Sequence, residues 1–478
     1  MMRRRLSTAL LLVLVNAALA HEGEQRTTVV IDTDMGLDDA VTLAIALQSP
    51  HVQIAAIVAC EGAAGGQTAV THLERMLELF NRPDIPLYSS VTIASSKPAP
   101  PFRQFAEHAV RAALPAEAKP RRRPFSAEAY AQPAGLTVLA LGPLTNLAAA
   151  LQTTPAIKER IGRVIIAGPA DPQKNWNLSY DPQAWHAVRA CGLKLEFVAD
   201  GAPCKPQSWR QTAPAIGRNA SLGANFIRHL LAEAGVREHY FSRWPGFSDE
   251  LTFLYCTDPD LFARNGQGGV FIPRDAQALF ATFAHDVANG RQHKRRVVLN
   301  DLALPEEMLC ADLRQRREAI IAKNGEIEWF LELLTSELHD HLGAYSVIGA
   351  KMGLRAAELL NAPPHAMKVT SYSAAMPPVS CMNDGLIVAS GSTPGRGLYK
   401  HEPGDAGSTR VQFEYNGRAL VLSLKPEYSA RIAADIGRLE REFGLARREY
   451  WEGVRRVALE IWENWHRGEI FAVLPGEL

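Results

Sequence analysis

The chain of 478 residues has no excess charge of either sign, since 51 Lys and Arg side chains balance 51 Asp and Glu side chains. Proteins that bind nucleic acids or acidic membrane surfaces usually carry a basic excess, so the composition argues against both kinds of partner. Hydrophobic residues make up 47% of the sequence and charged residues 21%. These values are typical of an ordinary globular protein.

A hydrophobic run long enough to cross a bilayer is missing at the N-terminus. The apolar segment Ala9–Val15 is too short for that role. It follows the basic start Met1–Arg5 and precedes Ala18-Leu19-Ala20, a small-x-small cleavage pattern. This order predicts a signal peptide over residues 1–20. The mature protein is therefore expected to be exported, periplasmic or secreted, with no membrane segment after cleavage.

Cysteine is scarce and unclustered. The six cysteines form no Cys-x-x-Cys pair. Export would permit disulfides, but a chain of this length can bury a core without them. The sequence alone assigns no pairing among six cysteines.

The segment Val29–Ala40 places four aspartates directly after a β-branched apolar run. Its start predicts a buried strand and its end a helix, so the acids fall at the carboxyl end of a strand, where open α/β sheets bind ligands. Adjacent carboxylates repel one another and are costly to bury without a cation. Oxygen-only ligands favour calcium or magnesium. One or two acids would fit a helix cap, but four predict a metal or catalytic site. The four acids are Asp32, Asp34, Asp38 and Asp39.

Strand-like and helix-like segments alternate from residue 27 to about 300, which predicts a mostly parallel sheet covered by helices. Residues 97–133, rich in Pro, Ala and Arg, predict an insertion or a flexible excursion. After about residue 315 the pattern changes. Ile320–Leu338 predicts one amphipathic helix, Gly385–Leu424 a strand-rich stretch, and the end of the chain two helices separated by Gly444. We therefore expect two domains, over residues 27–310 and 318–478, the second a smaller α+β domain.

Four motifs resemble the nucleoside hydrolases, which are calcium-dependent N-ribohydrolases. The aspartate segment resembles the opening motif of that family, and Leu141–Asn146 resembles its Leu-Gly-Pro-Leu-Thr-Asn signature. Ser248–Phe262 resembles a stretch that ends in Asp-Pro-x-Leu-Phe, and Asn175-Trp176-Asn177 resembles a Glu-Phe-Asn segment. The matches cover residues 27 to 265 in the order of the family. The resemblance implies the nucleoside hydrolase fold, an α/β sheet with flanking helices.

The resemblance also implies a site. Calcium would be bound by Asp34, Asp39, Asp249 and the main-chain carbonyl of Thr145. Asp34 would act as the general base that takes a proton from water, while the glycosidic bond breaks through an oxocarbenium-like state. Asp38 and Asn177 would hold ribose hydroxyls, and Asp32 would orient the loop.

The sequence departs from the family at three positions around this site. Ser248 stands where the family has a histidine that protonates the leaving base, and serine is no acid near neutral pH. By residue type alone, His239, Tyr240 and His285 are candidates for that role. Asn175 replaces a glutamate that binds the 5′-hydroxyl. Glu61, in a turn that departs from the family's Ala-Gly-Asn, either contacts the sugar or adds to the charge around the metal. Asn175 and Glu61 are kept as predicted substrate-binding residues.

The second half resembles a family of formylmethanofuran dehydrogenase components, the E subunits of that enzyme. The similarity rests on His339-x-His341 before a predicted helix, on Cys381-Met382-Asn383-Asp384, and on Gly391-Ser392-Thr393. Two family cysteines are replaced here, by Gly343 and Ser392. His339, His341 and Cys381 would suit zinc or another borderline metal. A His-x-His pair at a helix start is also common as a surface cap, and a single buried cysteine is usually inert.

We therefore predict an exported hydrolase of N-glycosidic bonds in nucleosides or related ribosides, fused to a metal-binding domain. The alternative is a protein that binds ribose or senses a metal without turnover. The expected partner is a small riboside, with no nucleic acid. The sequence leaves the oligomeric state open, a homo-oligomer included.

Overall fold

A computed structural model describes the protein over residues 26–91, 99–131, 134–199, 221–237, 248–266, 269–290 and 306–476. The predicted signal peptide lies outside these residues, so export stays a prediction. Within the described ranges, no helix has both the length and the apolar character needed to cross a membrane. The described cysteines are free thiols: Cys60, Cys191, Cys256, Cys310 and Cys381.

The first domain is built on one sheet of nine described strands, in the order β4-β3-β2-β1-β5-β6-β7-β9-β8. The strands are β1 Thr27–Thr33, β2 Val52–Ala59, β3 Leu87–Tyr88, β4 Arg122–Arg123, β5 Leu136–Ala140, β6 Ile161–Ala167, β7 Leu195–Val198, β8 Phe262–Arg264 and β9 Val270–Pro273. All neighbouring strands are parallel except β8 and β9. This confirms the predicted mostly parallel sheet.

Helices cover this sheet, and the β-branched strand residues pack beneath them in two core clusters. The helices of the described ranges are α1 Leu37–Ala46, α2 Gly66–Leu79, α3 Arg103–Ala113, α4 Thr145–Thr153, α5 Trp176–Tyr180, α6 Pro182–Ala190, α7 Leu222–Ala232, α8 Ser248–Thr257 and α9 Ala276–Asn289. The predicted excursion over residues 97–133 therefore contains α3 and the edge strand β4.

The strand order changes direction at β1. From β1 the chain continues to β2 on one side, whereas β5 pairs with β1 on the other side. The connections that leave the carboxyl ends of β1 and β5 diverge, and this opens a crevice at the edge of the sheet. The aspartate segment follows β1 directly and therefore lies at that crevice.

The second domain has its own core and a five-stranded sheet in the order β11-β10-β12-β13-β14. Its strands are β10 Lys368–Ser373, β11 Tyr399–His401, β12 Thr409–Tyr415, β13 Arg418–Leu424 and β14 Phe471–Pro475, and its helices are α10 Ala311–Asn324, α11 Glu326–Leu338, α12 Ala344–Leu360, α13 Met382–Ser390, α14 Pro426–Phe443 and α15 Arg448–Asn464. Only β10 and β11 are parallel. This is the smaller α+β domain that the sequence predicts.

Two predictions about this domain were wrong in detail. The single helix expected over residues 320–338 is divided into α10 and α11, because Gly325 adopts a φ of +88° between them. The stretch expected to be strand-rich from residue 385 begins inside α13, and the strands follow only from Tyr399. A glycine interrupts the helical pattern at this position, and the sequence prediction did not take it as the boundary.

The two domains contact each other through the C-terminal ends of helices. The Asn361 amide follows α12 and donates to the carbonyls of Phe80 (2.6 Å) and Leu47 (3.1 Å) in the first domain. The Asn81 amide follows α2 and donates to the carbonyl of Leu360 (2.7 Å) in the second domain. Each asparagine has a positive φ, near +50°. We call this reciprocal contact the asparagine clasp.

Candidate active site and a second candidate metal site

Three carboxylates converge in the crevice at the end of β1. Asp38 and Asp39 lie in the first turn of α1, and Asp249 lies in the first turn of α8. One oxygen from each lies within 4.8 Å of the other two, and each residue is at most 8% exposed. Residues more than 200 positions apart in sequence are therefore brought together by the fold. Asp38 was predicted to bind the sugar; its place in this set makes it a candidate metal ligand as well.

Asp34 lies against this set and is held from the other side by the turn after β2. Its Oδ2 accepts a hydrogen bond from the Ala63 amide at 2.8 Å. Gly62 approaches so closely that a Cβ at that position would lie 1.9 Å from the same oxygen. Any larger residue at position 62 would therefore displace the Asp34 carboxylate.

Burial and mutual repulsion dominate the electrostatics of the cluster. The pKa of Asp34 is well above its usual value because of burial and the charge of Asp39, to which it is also hydrogen-bonded. The pKa of Asp249 is raised in the same way, by burial and then by the charges of Asp38 and Asp39. The Asp39 carboxylate is fixed by the Thr33 hydroxyl (2.5 Å) and the Gly36 amide (3.0 Å). A cation would favour the ionised form of all four acids.

Asp32 points away from this set into a buried hydrogen-bond network. Its carboxylate accepts from the Tyr130 hydroxyl (2.6 Å) and from the Asn146 amide (2.9 Å). Burial raises the pKa of Asp32 to about 6, although these two hydrogen bonds oppose the shift. This placement is consistent with the predicted role of Asp32 in orienting the loop. The sequence did not reveal Tyr130, because no motif marks this tyrosine as a partner of an aspartate in β1.

The other predicted residues lie around the same crevice. Thr145 begins α4, and its hydroxyl donates to Asp181 at 2.7 Å; the role of its carbonyl stays a prediction. The Asn177 amide donates to the carbonyl of Leu141, at the end of β5, at 2.6 Å. The Asn175 side chain is engaged within the fold: it donates to the carbonyls of Ala167 and Pro169 and caps α5 through Leu178. These contacts favour a structural role for Asn175 over a sugar contact.

Glu61 is paired with a residue that no sequence motif marked. Its carboxylate lies 3.6 Å from the Arg103 guanidinium of α3. Arg103 also donates to the carbonyl of Gly62 at 2.6 Å and to the Tyr180 hydroxyl at 3.4 Å. Arg103 therefore links the turn that holds Asp34 to α5.

The three candidates for the missing leaving-group acid stay predictions. His239 and Tyr240 lie outside the described residues. His285 lies in α9.

Two imidazoles approach each other in the second domain. The rings of His339 and His341 lie with centroids 4.4 Å apart, and a Cβ at Gly343 would lie 3.2 Å from the Nε2 atom of each. Asp384 Oδ2 lies 2.7 Å from His339 Nδ1, as in the carboxylate–histidine pairs that orient metal ligands. His339 Nε2 is buried without a hydrogen-bond partner. Burial, followed by the charge of His339, lowers the pKa of His341.

Cys381 does not join these imidazoles in a compact set. Among the described residues, the one group of three or more His, Cys, Asp or Glu donors within 4.8 Å is the aspartate set of the first domain. Burial and the nearby Asp384 charge raise the pKa of the Cys381 thiol. The donors that lie close together are the two histidines, whose Nε2 atoms both face Gly343. The role of Cys381 as a ligand stays a prediction.

An α/β protein with a buried carboxylate cluster at the switch point of its sheet has the arrangement of an enzyme that binds a small polar ligand. The particular family follows from comparison with known proteins. Residues 29–323 match the family model of the inosine-uridine preferring nucleoside hydrolases, and the chain belongs to this family. It is therefore a glycosyl hydrolase. Residues 338–462 match the FmdE model, named for the molybdenum formylmethanofuran dehydrogenase operon.

The chain is also similar to individual proteins over part of its length. The chain is 32% identical over 264 residues to the pyrimidine-specific ribonucleoside hydrolase RihA of Salmonella enteritidis, a match that covers 49% of this chain and 80% of that protein. A plant nucleoside hydrolase structure matches with 22% identity and a TM-score of 0.45, covering 55% of this chain and 99% of that one. A purine-preferring ribonucleoside hydrolase from Gardnerella vaginalis matches with 18% identity and a TM-score of 0.44, covering 55% and 98%.

Proposed function

We propose that the first domain uses a calcium ion to hydrolyse the N-glycosidic bond of a riboside. The observation that carries this proposal is the convergence of the Asp38, Asp39 and Asp249 carboxylates, with Asp34 against Asp39. Buried carboxylates in such numbers require a compensating cation, and oxygen ligands suit a hard divalent ion. The donor set therefore fits calcium.

Asp34, Asp39 and Asp249 would hold this ion, with the Thr145 carbonyl and Asp38 as further oxygen ligands. Bound calcium would orient the ribose hydroxyls and lower the pKa of the attacking water. Thr33 and Gly36 hold Asp39 in place, and Ala63 and Gly62 hold Asp34. This fixed arrangement supports the orientation that a hydrolytic step needs.

Asp34 would accept the proton of the attacking water. Its carboxylate lies against the three converging acids and is held in place by the turn after β2. The negative charge of the four aspartates would stabilise the oxocarbenium-like transition state, in which positive charge develops on the sugar. Asn177, fixed against the Leu141 carbonyl, would place its amide at the ribose.

A reducing-sugar assay over a nucleoside panel, with calcium and after chelation, tests this proposal. Asp34→Asn should lower kcat by at least about 10²-fold, the usual effect of losing a general base. The exposed Asp260 offers a matched control, since Asp260→Asn should keep the activity of the unchanged protein. Calorimetry should show calcium binding by the unchanged protein. Calcium and ribose binding without turnover of any riboside would overturn the enzymatic proposal in favour of a binding protein.

For the second domain, we propose a transition-metal site at the Nε2 atoms of His339 and His341. The orphaned, buried Nε2 of His339 and the Asp384 contact to its other nitrogen support this proposal. Neutral imidazoles suit zinc and its neighbours.

Metal analysis of the purified protein tests the second site. His341→Ala should lose one equivalent of metal, whereas His186→Ala, at an exposed histidine of α6, should retain it. Cys381→Ser separates the two possible ligand sets, because loss of metal in this variant would add the thiol to the site. An unchanged metal content in His341→Ala would remove the proposal.

A further inference from the structure

An aromatic surface is linked to the crevice of the aspartate cluster by hydrogen bonds of neighbouring residues. The ring of Trp176 lies 4.9 Å from that of Tyr180 and 6.1 Å from that of Phe102, and Trp176 is 39% exposed. We call these three residues the aromatic edge. Asn177, next to Trp176, is bonded to Leu141 at the end of β5. The Tyr180 hydroxyl accepts from Arg103, which is bonded to the turn that holds Asp34.

The site carries more negative than positive charge. Asp34, Asp38, Asp39 and Asp249 carry four negative charges when ionised, and one divalent cation would leave two of them uncompensated. Arg103, which is bonded to the turn that holds Asp34, is already balanced by Glu61 at 3.6 Å. Water is largely excluded from these buried groups, so their field acts strongly on a ligand. A cationic planar ligand would gain from this charge and from the faces of the aromatic edge.

The serine at the start of α8 is consistent with the same kind of ligand. Ser248 directly precedes Asp249 at the start of α8, and its hydroxyl cannot supply a proton near neutral pH. A neutral nucleobase departs as an anion unless an acid protonates it. An aglycone whose glycosidic nitrogen is already positively charged departs as a neutral molecule, so its departure requires no acid.

We propose that the substrates of this site are ribosides with a fixed positive charge on the glycosidic nitrogen, of the pyridinium class. This inference rests on the proposed hydrolytic function. The water oxygen forms a bond to the anomeric carbon while the carbon–nitrogen bond breaks. The electron pair of that bond goes to the nitrogen, which becomes neutral. One proton of the water passes to Asp34 and then to solvent, so a cation and water yield ribose, a neutral base and a proton.

A matched pair of analogues separates charge from shape. The probes are carbocyclic ribosylpyridinium, which cannot form an oxocarbenium ion, and the neutral carbocyclic phenyl analogue of the same shape. With calcium-loaded protein, calorimetry should show the cation binding at least about tenfold more tightly, and this preference should fall as salt is raised. Trp176→Ala should reduce the preference about five- to tenfold. Trp451→Ala, at an exposed tryptophan of α15, should leave it unchanged. Equal affinity for the two analogues would overturn the proposal.

Turnover measurements provide a second test of the proposal. The kcat/KM for ribosylpyridinium should exceed the values for uridine and inosine by about 10²-fold or more, after division by the uncatalysed rates, because only the neutral bases need a proton donor. Normalised values for uridine or inosine that equal or exceed that for the cation would overturn the cationic preference but leave the hydrolase proposal standing. If no riboside is hydrolysed, the hydrolase proposal fails, and tighter binding of the cationic analogue would then still support the charge preference of the site.

Discussion

The aspartates at the end of β1 depend on uncharged neighbours for their positions. Asp39 is fixed by a hydroxyl and an amide, and Asp32 by Tyr130 and Asn146. Asp34 depends on the absence of a side chain at Gly62. A carboxylate that must bind an ion or take a proton needs its geometry held by the surrounding shell, because small displacements weaken both tasks.

Gly62→Ala should therefore impair the site without unfolding the domain. The added Cβ would lie 1.9 Å from Asp34 Oδ2, so the carboxylate must move. We expect calcium affinity to fall at least about tenfold, the effect usual for disturbing a metal-ligand shell. Calorimetry measures this affinity, and circular dichroism checks the fold. Gly65→Ala is the control, since a Cβ there meets nothing closer than 3.6 Å. Equal affinities for both variants would contradict the assigned role of Gly62.

Asp286 in α9 offers a test of pH-dependent stability. Burial, with the charge of Asp258, raises its pKa from 3.8 to about 8. The folded protein therefore holds this proton between about pH 4 and pH 8, whereas the unfolded chain releases it. This difference lowers the free energy of unfolding as the pH rises through that window.

Asp286→Asn should remove this pH-dependent loss of free energy of unfolding. The variant should gain free energy of unfolding relative to the unchanged protein as the pH rises from about 4 to about 8, and the difference should level off above that range. Denaturant titrations at a series of pH values measure this difference. A difference that stays constant across the window would show that Asp286 is ionised in the folded protein.

Two helices connect the candidate sites to the domain contact. α1 begins at the aspartate cluster, and the carbonyl of Leu47 at its C-cap accepts from Asn361. α12 begins at Gly343, beside the histidine pair, and ends at Asn361. The asparagine clasp thus joins the far ends of both helices. Asparagine suits this position because it tolerates a positive φ and also supplies donors for the exposed helix carbonyls.

The clasp should make a measurable contribution to stability. Asn361→Ala loses both hydrogen bonds and places alanine at a φ of +49°, so we expect a loss of about 2–4 kcal/mol in free energy of unfolding. Asn361→Gly keeps the backbone conformation and should lose only the hydrogen-bond part. Chemical denaturation measures both variants. If the alanine variant is no less stable than the glycine variant, backbone strain at this position is negligible.

The molecule as a whole contains two separate cores. Both enclose charged groups: the first domain buries the aspartates of its crevice, and the second buries a network of ion pairs. Lys351 of α12 and Glu328 of α11 are fully buried and form an ion pair, and Arg467 bonds to Glu328 (3.0 Å) and Glu358 (2.7 Å). This network ties α11, α12 and the chain after α15 together. Breaking a buried pair leaves an uncompensated charge, which is far more costly than losing a surface pair.

Lys351→Met should therefore destabilise the second domain by about 3–5 kcal/mol. Lys323→Met, at a side chain that is 50% exposed in α10, should change the free energy of unfolding by no more than about 0.5 kcal/mol. Thermal and chemical denaturation measure both. A loss in Lys351→Met as small as in the control would show that the methionine side chain replaces the ion pair without cost.

The sequence by itself determined the classes of element and the position of the acidic turn after β1. The aspartates after an apolar strand indicated an acidic turn at a sheet edge, because local order along the chain sets both the strand and the turn. The alternation of strands and helices indicated the parallel sheet for the same reason. Asp249 was assigned through a family resemblance, since no local pattern links it to residues over 200 positions away.

Only the tertiary structure decided which groups surround those acids. The Tyr130 contact to Asp32, the Arg103 pair with Glu61 and the aromatic edge all join segments that are distant in sequence, and no periodicity encodes such contacts. The break at Gly325 and the asparagine clasp depend on positive φ values that packing selects. Local patterns therefore determine which chemistry is present, whereas packing decides which groups meet it.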